Sequence, residues 1–231
     1  MVEKVSQDGT SAIKLRLRFA KQGRSIYISH LDLMRTMQRA FLRASVPLKY
    51  SEGFNPHPVI SILLPLGVGV SSVCELMDFQ LTEALPLAEL PQRLNAVLPE
   101  GITASEVYSG GRKVRELKWL RVSGEWEYDN RGTENLSPLL NEFFHRPSLI
   151  IEKKTKRGRS ESDIIPAIRE ISFFPTPEGN LKVEAILSAQ EPTLNPDHLV
   201  SALRQLFPAL APDFAEFRRL EVYDTEMHTF R

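Results

Sequence analysis

Residues 12–20 read AIKLRLRFA, and residues 29–46 read SHLDLMRTMQRAFLRASV. In the first stretch Ile13, Leu15, Leu17 and Phe19 alternate with Lys14, Arg16 and Arg18. A period of two marks a strand with one apolar and one basic face. In the second stretch Met34, Met37, Phe41 and Ala44 recur at helical spacing. Ser29 stands where a hydroxyl caps the helix start, and Asp32 falls in the first turn, where an acid favours the dipole. Arg35, Arg39 and Arg43 are spaced by four and form a second, basic file on the same helix. Pro47 stops it.

Outward from this strand and helix, an extended piece at 48–51 and a loop at 52–58 precede two apolar strands, 59–66 and 73–81. Gly67-Val68-Gly69 joins them, and its pattern suits a hairpin turn better than a phosphate loop. A helix over 87–98 and a strand over 102–108 complete the order βαββαβ, the split-βαβ arrangement of ferredoxin-like domains. After a glycine-rich, basic joint at 109–113 the order approximately returns: strand 116–128, helix 136–145, strand 149–154, an extended run 164–174 weakened by Pro166, strand 181–189, helix 196–207 and strand 217–223. The expected architecture is therefore α+β, two tandem ferredoxin-like halves with antiparallel sheets, at 12–110 and 111–224. A loose leader, 1–11, and a loose tail, 225–231, flank them.

Composition narrows the setting. The chain of 231 residues is 42% apolar and 25% charged, ordinary globular values. A single cysteine, Cys74, rules out a disulfide within the chain and an iron–sulfur cluster or zinc held by its own thiolates. Its apolar strand makes it a buried, inert thiol. No run reaches the roughly 18 apolar residues of a membrane helix, and the polar start has no signal-peptide core. A cytoplasmic protein with no membrane partner is expected. The formal charge of zero hides segregation: residues 12–50 hold nine Lys/Arg against Asp32 alone, whereas residues 161–231 hold six against twelve acids.

The strings RFAKQGRSIYISHLDLMRTMQRAFLRASVPLKYSEGFNPHP, residues 18–58, and PLGVGVSSVCELMDF, residues 65–79, resemble an uncharacterised bacterial family encoded beside, or fused to, a radical-SAM protein. The resemblance implies a bacterial protein that acts with such an enzyme. An iron–sulfur cluster, SAM and cobalamin would belong to that partner, because no CxxxCxxC string occurs in this chain. No cofactor is expected here, nor a metal site of tight ligand spacing.

Two groups of residues carry the chemistry. The basic group is Arg16 and Arg18 on the strand with Arg35, Arg39 and Arg43 on the helix, placed to hold phosphates of RNA or another anion. Lys153, Lys154, Lys156, Arg157 and Arg159 add a basic hairpin. Against this, such charges also serve as a solvated face, and the basic strand lacks stacking aromatics. The polar group is Ser29, His30 and Asp32 at the helix start, the loop residues Tyr50, Ser51, Gly53, Phe54, Asn55 and His57, and Glu75 on the second apolar strand. His57, clamped between Pro56 and Pro58, with His30 as second partner, is the candidate acid–base pair of an RNA-processing or RNA-modifying enzyme. Capping alone accounts for Ser29 and Asp32. Trp119 and Trp126 read as core. Three functions remain: an RNA-binding or anion-binding accessory protein, an RNA-directed enzyme, and a subunit that binds only protein.

Overall fold

The computed structural model describes residues 12–129, 132–133, 135–155 and 158–231. The chain divides into two compact units, one running to Arg112 and joined by Arg231, the other Lys113–Phe230. The expected leader at 1–11, and Lys156 and Arg157 of the expected basic hairpin, lie outside the described residues.

In the first unit β1 (Ile13–Lys21), α1 (His30–Arg43), β2 (Ile60–Ile62), β3 (Ser71–Leu81), α2 (Leu90–Asn95) and β4 (Ile102–Ser109) follow in order. The strands lie as β4-β1-β3-β2, every pair antiparallel. Leu15, Leu17 and Phe19 of β1 and Met77, Phe79 and Leu81 of β3 share one face, and they pack with Leu33, Met37 and Phe41 of α1 and Leu90 and Leu94 of α2. Alternation in the strands and the 3.6-residue stripe of α1 thus meet in a single core. The expected strand over 59–66 is shorter, three residues, and the expected helix over 87–98 begins as a 3-10 turn at Leu87–Glu89, with Pro91 admitted in the first turn of α2.

The other face of β1 departs from expectation. Arg16 does not face solvent: its side chain is 2% exposed, with Nε donating to Asp78 Oδ1 at 2.6 Å and Nη2 to Asp78 Oδ2 at 3.1 Å. The chain leaving β4 crosses over it, and the Arg112 carbonyl accepts from Nη2 at 2.9 Å. A buried guanidinium demands such a bidentate carboxylate and carbonyl set, and Asp78 lies directly across from Arg16 in the ladder.

The second unit contains β5 (Trp119–Glu127), α3 (Leu136–Phe144), β6 (Ile150–Thr155), β7 (Gly158–Asp163), β8 (Ile168–Pro175), β9 (Leu181–Ser188), α4 (Asp197–Leu206) and β10 (Phe214–Tyr223). Its main strands lie as β10-β5-β9-β8, again all antiparallel. The expected strand at 149–154 is β6, but it pairs only with β7, as a separate hairpin inserted between α3 and β8. Pro166 sits in a 3-10 turn rather than a strand. The tail expected to be loose is tied down. Asp224 Oδ1 accepts the backbone N–H groups of Glu226 and His228, and Phe230 is 1% exposed with its N–H donating to the Val222 carbonyl. No helix among the described residues is long and apolar enough to cross a membrane.

Candidate functional site

Ser29 Oγ accepts the Asp32 N–H at 3.1 Å and donates to Asp32 Oδ2 at 2.7 Å, so the cap is reciprocal. The Ser29 hydroxyl, and then Arg35, hold the Asp32 carboxyl below its usual range. His30 follows the cap, exposed. At the same end of the unit Lys21, 1% exposed, donates Nζ to the Ile26 carbonyl at 3.0 Å, and Gly69 N–H donates to the same oxygen at 2.9 Å. That bond uses the Gly69 amide for structure, in keeping with a turn. Glu75 is 0% exposed and lies opposite Phe19 on the helix-bearing face of β3. It is an interior carboxylate, not a rim group.

The GFNPHP loop string forms a hairpin of its own. Tyr50 bridges Pro58, and Ser51 N–H donates to the His57 carbonyl at 2.8 Å. Ser51 Oγ accepts the His57 N–H at 3.1 Å and lies 2.9 Å from His57 Nδ1, while Nδ1 is 3.4 Å from the Asn55 carbonyl oxygen. One hydroxyl therefore fixes both backbone and ring of His57. Gly53 takes φ +116°, open to glycine and strained for other residues. At the tip Phe54 is wholly exposed, and Tyr50 is half exposed.

The hairpin and the start of α1 stand at opposite ends of the sheet. α1 runs fourteen residues from His30 to Arg43, about 20 Å of helix, before the chain turns into the hairpin. Leu48, which leads into the hairpin, bridges Leu81, and Leu81 pairs with Ile13; Glu75 lies about 20 Å back along β3. His30, Ser29, Asp32 and Glu75 are thus not brought together with Tyr50, Ser51, Gly53, Phe54, Asn55 and His57, and the expected His30–His57 acid–base pair is corrected: side chains at opposite ends of the sheet do not both reach one reacting group.

The arginine file fares differently. Arg35, Arg39 and Arg43 are all exposed on α1. Arg35 Nη1 meets Asp32 Oδ1 at 3.2 Å, and Arg43 Nη2 donates to the Val97 carbonyl at 2.8 Å, closing the end of α2. Each guanidinium keeps further N–H donors beyond these single bonds. Arg18, half-buried on β1, belongs to the other layer.

A model of the family described as "Uncharacterized protein conserved in bacteria (DUF2344)" matches residues 14–196. The chain belongs to that bacterial family. The DUF2344 match runs from β1 to the threshold of α4 and so takes in the α1 start, the hairpin and most of the second unit. No curated protein matches the chain. Among solved structures, the crystal structure of an unknown protein from Galdieria sulphuraria aligns over 90% of this chain and 99% of its own, at 12% identity with a TM-score of 0.25, a likeness too slight to argue from.

Several features escaped sequence reasoning. Arg93 Nη2 donates to the Ala44 and Ser45 carbonyls at 2.7 and 3.0 Å, which only the meeting of α1 and α2 reveals. Tyr27, Leu31, Leu42 and Val68 are exposed, although Leu31 and Leu42 read as ordinary helix residues. In the second unit of this DUF2344 member Trp126 is core, as expected, but Trp119 is half-buried, with Lys118 Nζ and the Arg169 guanidinium 5.7 and 5.5 Å from its ring. Among the described residues no group of three His, Cys, Asp or Glu is placed to hold a metal ion.

Proposed function

We propose that this DUF2344 protein is an accessory binding protein of the bacterial cytoplasm that works with a radical-SAM enzyme and takes up RNA, or another anionic strand, along the outer face of α1. On this reading each unit is a ferredoxin-like half, and the binding surface is the helix file rather than the open sheet face, where Arg16 is committed to Asp78. The observation that carries it is the helix itself: Arg35, Arg39 and Arg43 stand exposed in one file, and Asp32 is the one acid in α1. The radical-SAM partner rests on the SHLDL and GFNPHP resemblance, and the iron–sulfur cluster, SAM and cobalamin would be that partner's. The alternative of an RNA-processing or RNA-modifying enzyme rests on His30 and His57 acting together, and their separation along α1 favours the binding reading over it.

Fluorescence anisotropy of a labelled oligouridylate across a salt series tests this. Log affinity should fall linearly with log salt, and the Arg35→Ala/Arg39→Ala double variant should flatten the slope by about 1.4, two single-strand phosphate contacts. An unchanged slope sinks the reading.

A second reading, docking onto a partner protein alone, is favoured by the exposed aliphatic side chains Leu31, Leu42 and Val68. It requires a stable complex with the radical-SAM protein from which no RNA is recovered.

A further inference from the structure

The hairpin at 50–58 exposes a restricted set of chemistry. Its exposed side chains are the rings of Tyr50, Phe54 and His57, the carboxylate of Glu52 and Pro56, with Pro58 part-buried beside them. The one exposed side-chain amide is that of Asn55. No Leu, Ile, Val or Met lies within residues 50–58; the flanking Leu48 and Val59 belong to the chain where it joins the sheet. Rings that offer flat faces beside an amide that both donates and accepts are the means by which proteins hold unstacked bases.

Two further observations point the same way. The tip is preformed: the Tyr50–Pro58 bridge and the Ser51–His57 hydrogen bonds close it without any contact to Phe54, whose ring is left wholly in solvent. Keeping an aromatic side chain out on a rigid arm removes the ordering cost at the moment of binding. The arm also follows α1 closely in the chain: Tyr50 comes seven residues after the exposed Arg43, with the part-buried Lys49 at the arm's root. Cations along a track with rings at its end match a phosphate backbone whose bases turn outward.

We infer that the Tyr50–Pro58 hairpin is a base-stacking arm for single-stranded RNA, with Phe54 as the platform and Asn55 at the base edge. It rests on the reading of α1 as the phosphate track and adds to it the state of the substrate: unpaired nucleotides, not duplex and not a bare polyanion.

Three probes separate the possibilities: labelled oligouridylate, an RNA duplex of equal length and linear polyphosphate. With the full chain, Phe54→Ala should weaken oligouridylate binding roughly five- to a hundredfold and leave polyphosphate binding unchanged. Phe54→Leu should lose as much as Phe54→Ala, because the ring and not its apolar volume is used, and Phe54→Trp should bind at least as well as the parent. Duplex should compete poorly with oligouridylate. Parent-like oligouridylate binding by Phe54→Ala overturns the arm while leaving the arginine track standing. Full binding by Phe54→Leu, with loss in Phe54→Ala, overturns stacking in favour of an apolar contact such as a protein pocket makes. Failure of the parent to bind either oligouridylate or polyphosphate removes the track, and the arm with it.

Discussion

Gly101 has φ +86°, and a Cβ added there would run into the Gln22 carbonyl oxygen and lie 2.8 Å from Ser25 Oγ. Its own carbonyl accepts the Gln22 N–H at 2.7 Å, so the clash cannot be relieved without loosening the end of β1. Gly101→Ala should cost about 3 kcal/mol or more, read as a lower urea midpoint, whereas Gly111→Ala, with nothing within 4 Å of its Cβ and no positive φ, should move it by less than about 0.5 kcal/mol. Asp163 gives a pH-dependent counterpart. The Leu149 N–H, then the Ile165 N–H and Ser148, hold its carboxyl below the usual range. A depressed carboxyl contributes stability above the unfolded aspartate's value and loses it as pH falls through the folded one. Asp163→Asn should therefore be less stable than the parent at neutral pH, and chemical denaturation should show the gap closing in acid. Neither residue was legible as special from sequence, since both roles depend on segments that meet only in the fold.

At the scale of elements, α1 was the most readable, because its cap, stripe and stop are local. Its C-terminus still differs from expectation. The helix ends before Pro47, in a Schellman turn: Ser45 sits at φ +51°, its N–H donates to the Leu42 carbonyl, and the Val46 N–H donates to the Phe41 carbonyl. A serine in the left-handed region suggests its own remedy. Ser45→Gly should raise stability by about 0.5 kcal/mol, the left-handed penalty less the entropy glycine loses on folding. A lower melting temperature for Ser45→Gly would refute the argument. β6 was found as a strand but assigned to the wrong sheet. A short strand with only two apolar residues does not say which partner it pairs with, and its real anchors are remote: Gln205 Oε1 accepts the Glu152 N–H at 2.8 Å, and Gln205 Nε2 donates to the Glu152 carbonyl at 3.2 Å.

At the scale of the whole molecule, strand β7 of the second unit was not foreseen, but the element order and antiparallel pairing of the first unit could be read, because each element announces its type locally and short connections limit the topologies. The candidate site could not. A motif written closely in sequence, SHLDL followed by GFNPHP, straddles a helix that carries its halves to opposite ends of the first unit. Sites so separated act independently. The effects of His30→Ala and His57→Ala on oligouridylate affinity should add to within about 0.5 kcal/mol, and a larger coupling in the double variant would restore a common site. Charge was misleading for a related reason. Residues 12–50 are densely cationic, but Arg16 is spent inside the fold on Asp78, so net charge by segment overstates the field outside.

Both tryptophans of the chain, Trp119 and Trp126, belong to the second unit. Indole emission consequently watches half of the molecule: the buried Trp126, against Phe173 and Phe217, will redden when that unit opens, while the unit with the hairpin can come apart in the dark. Phe54→Trp would give the silent half a lamp of its own, placed at the tip where a stacked base would dim it.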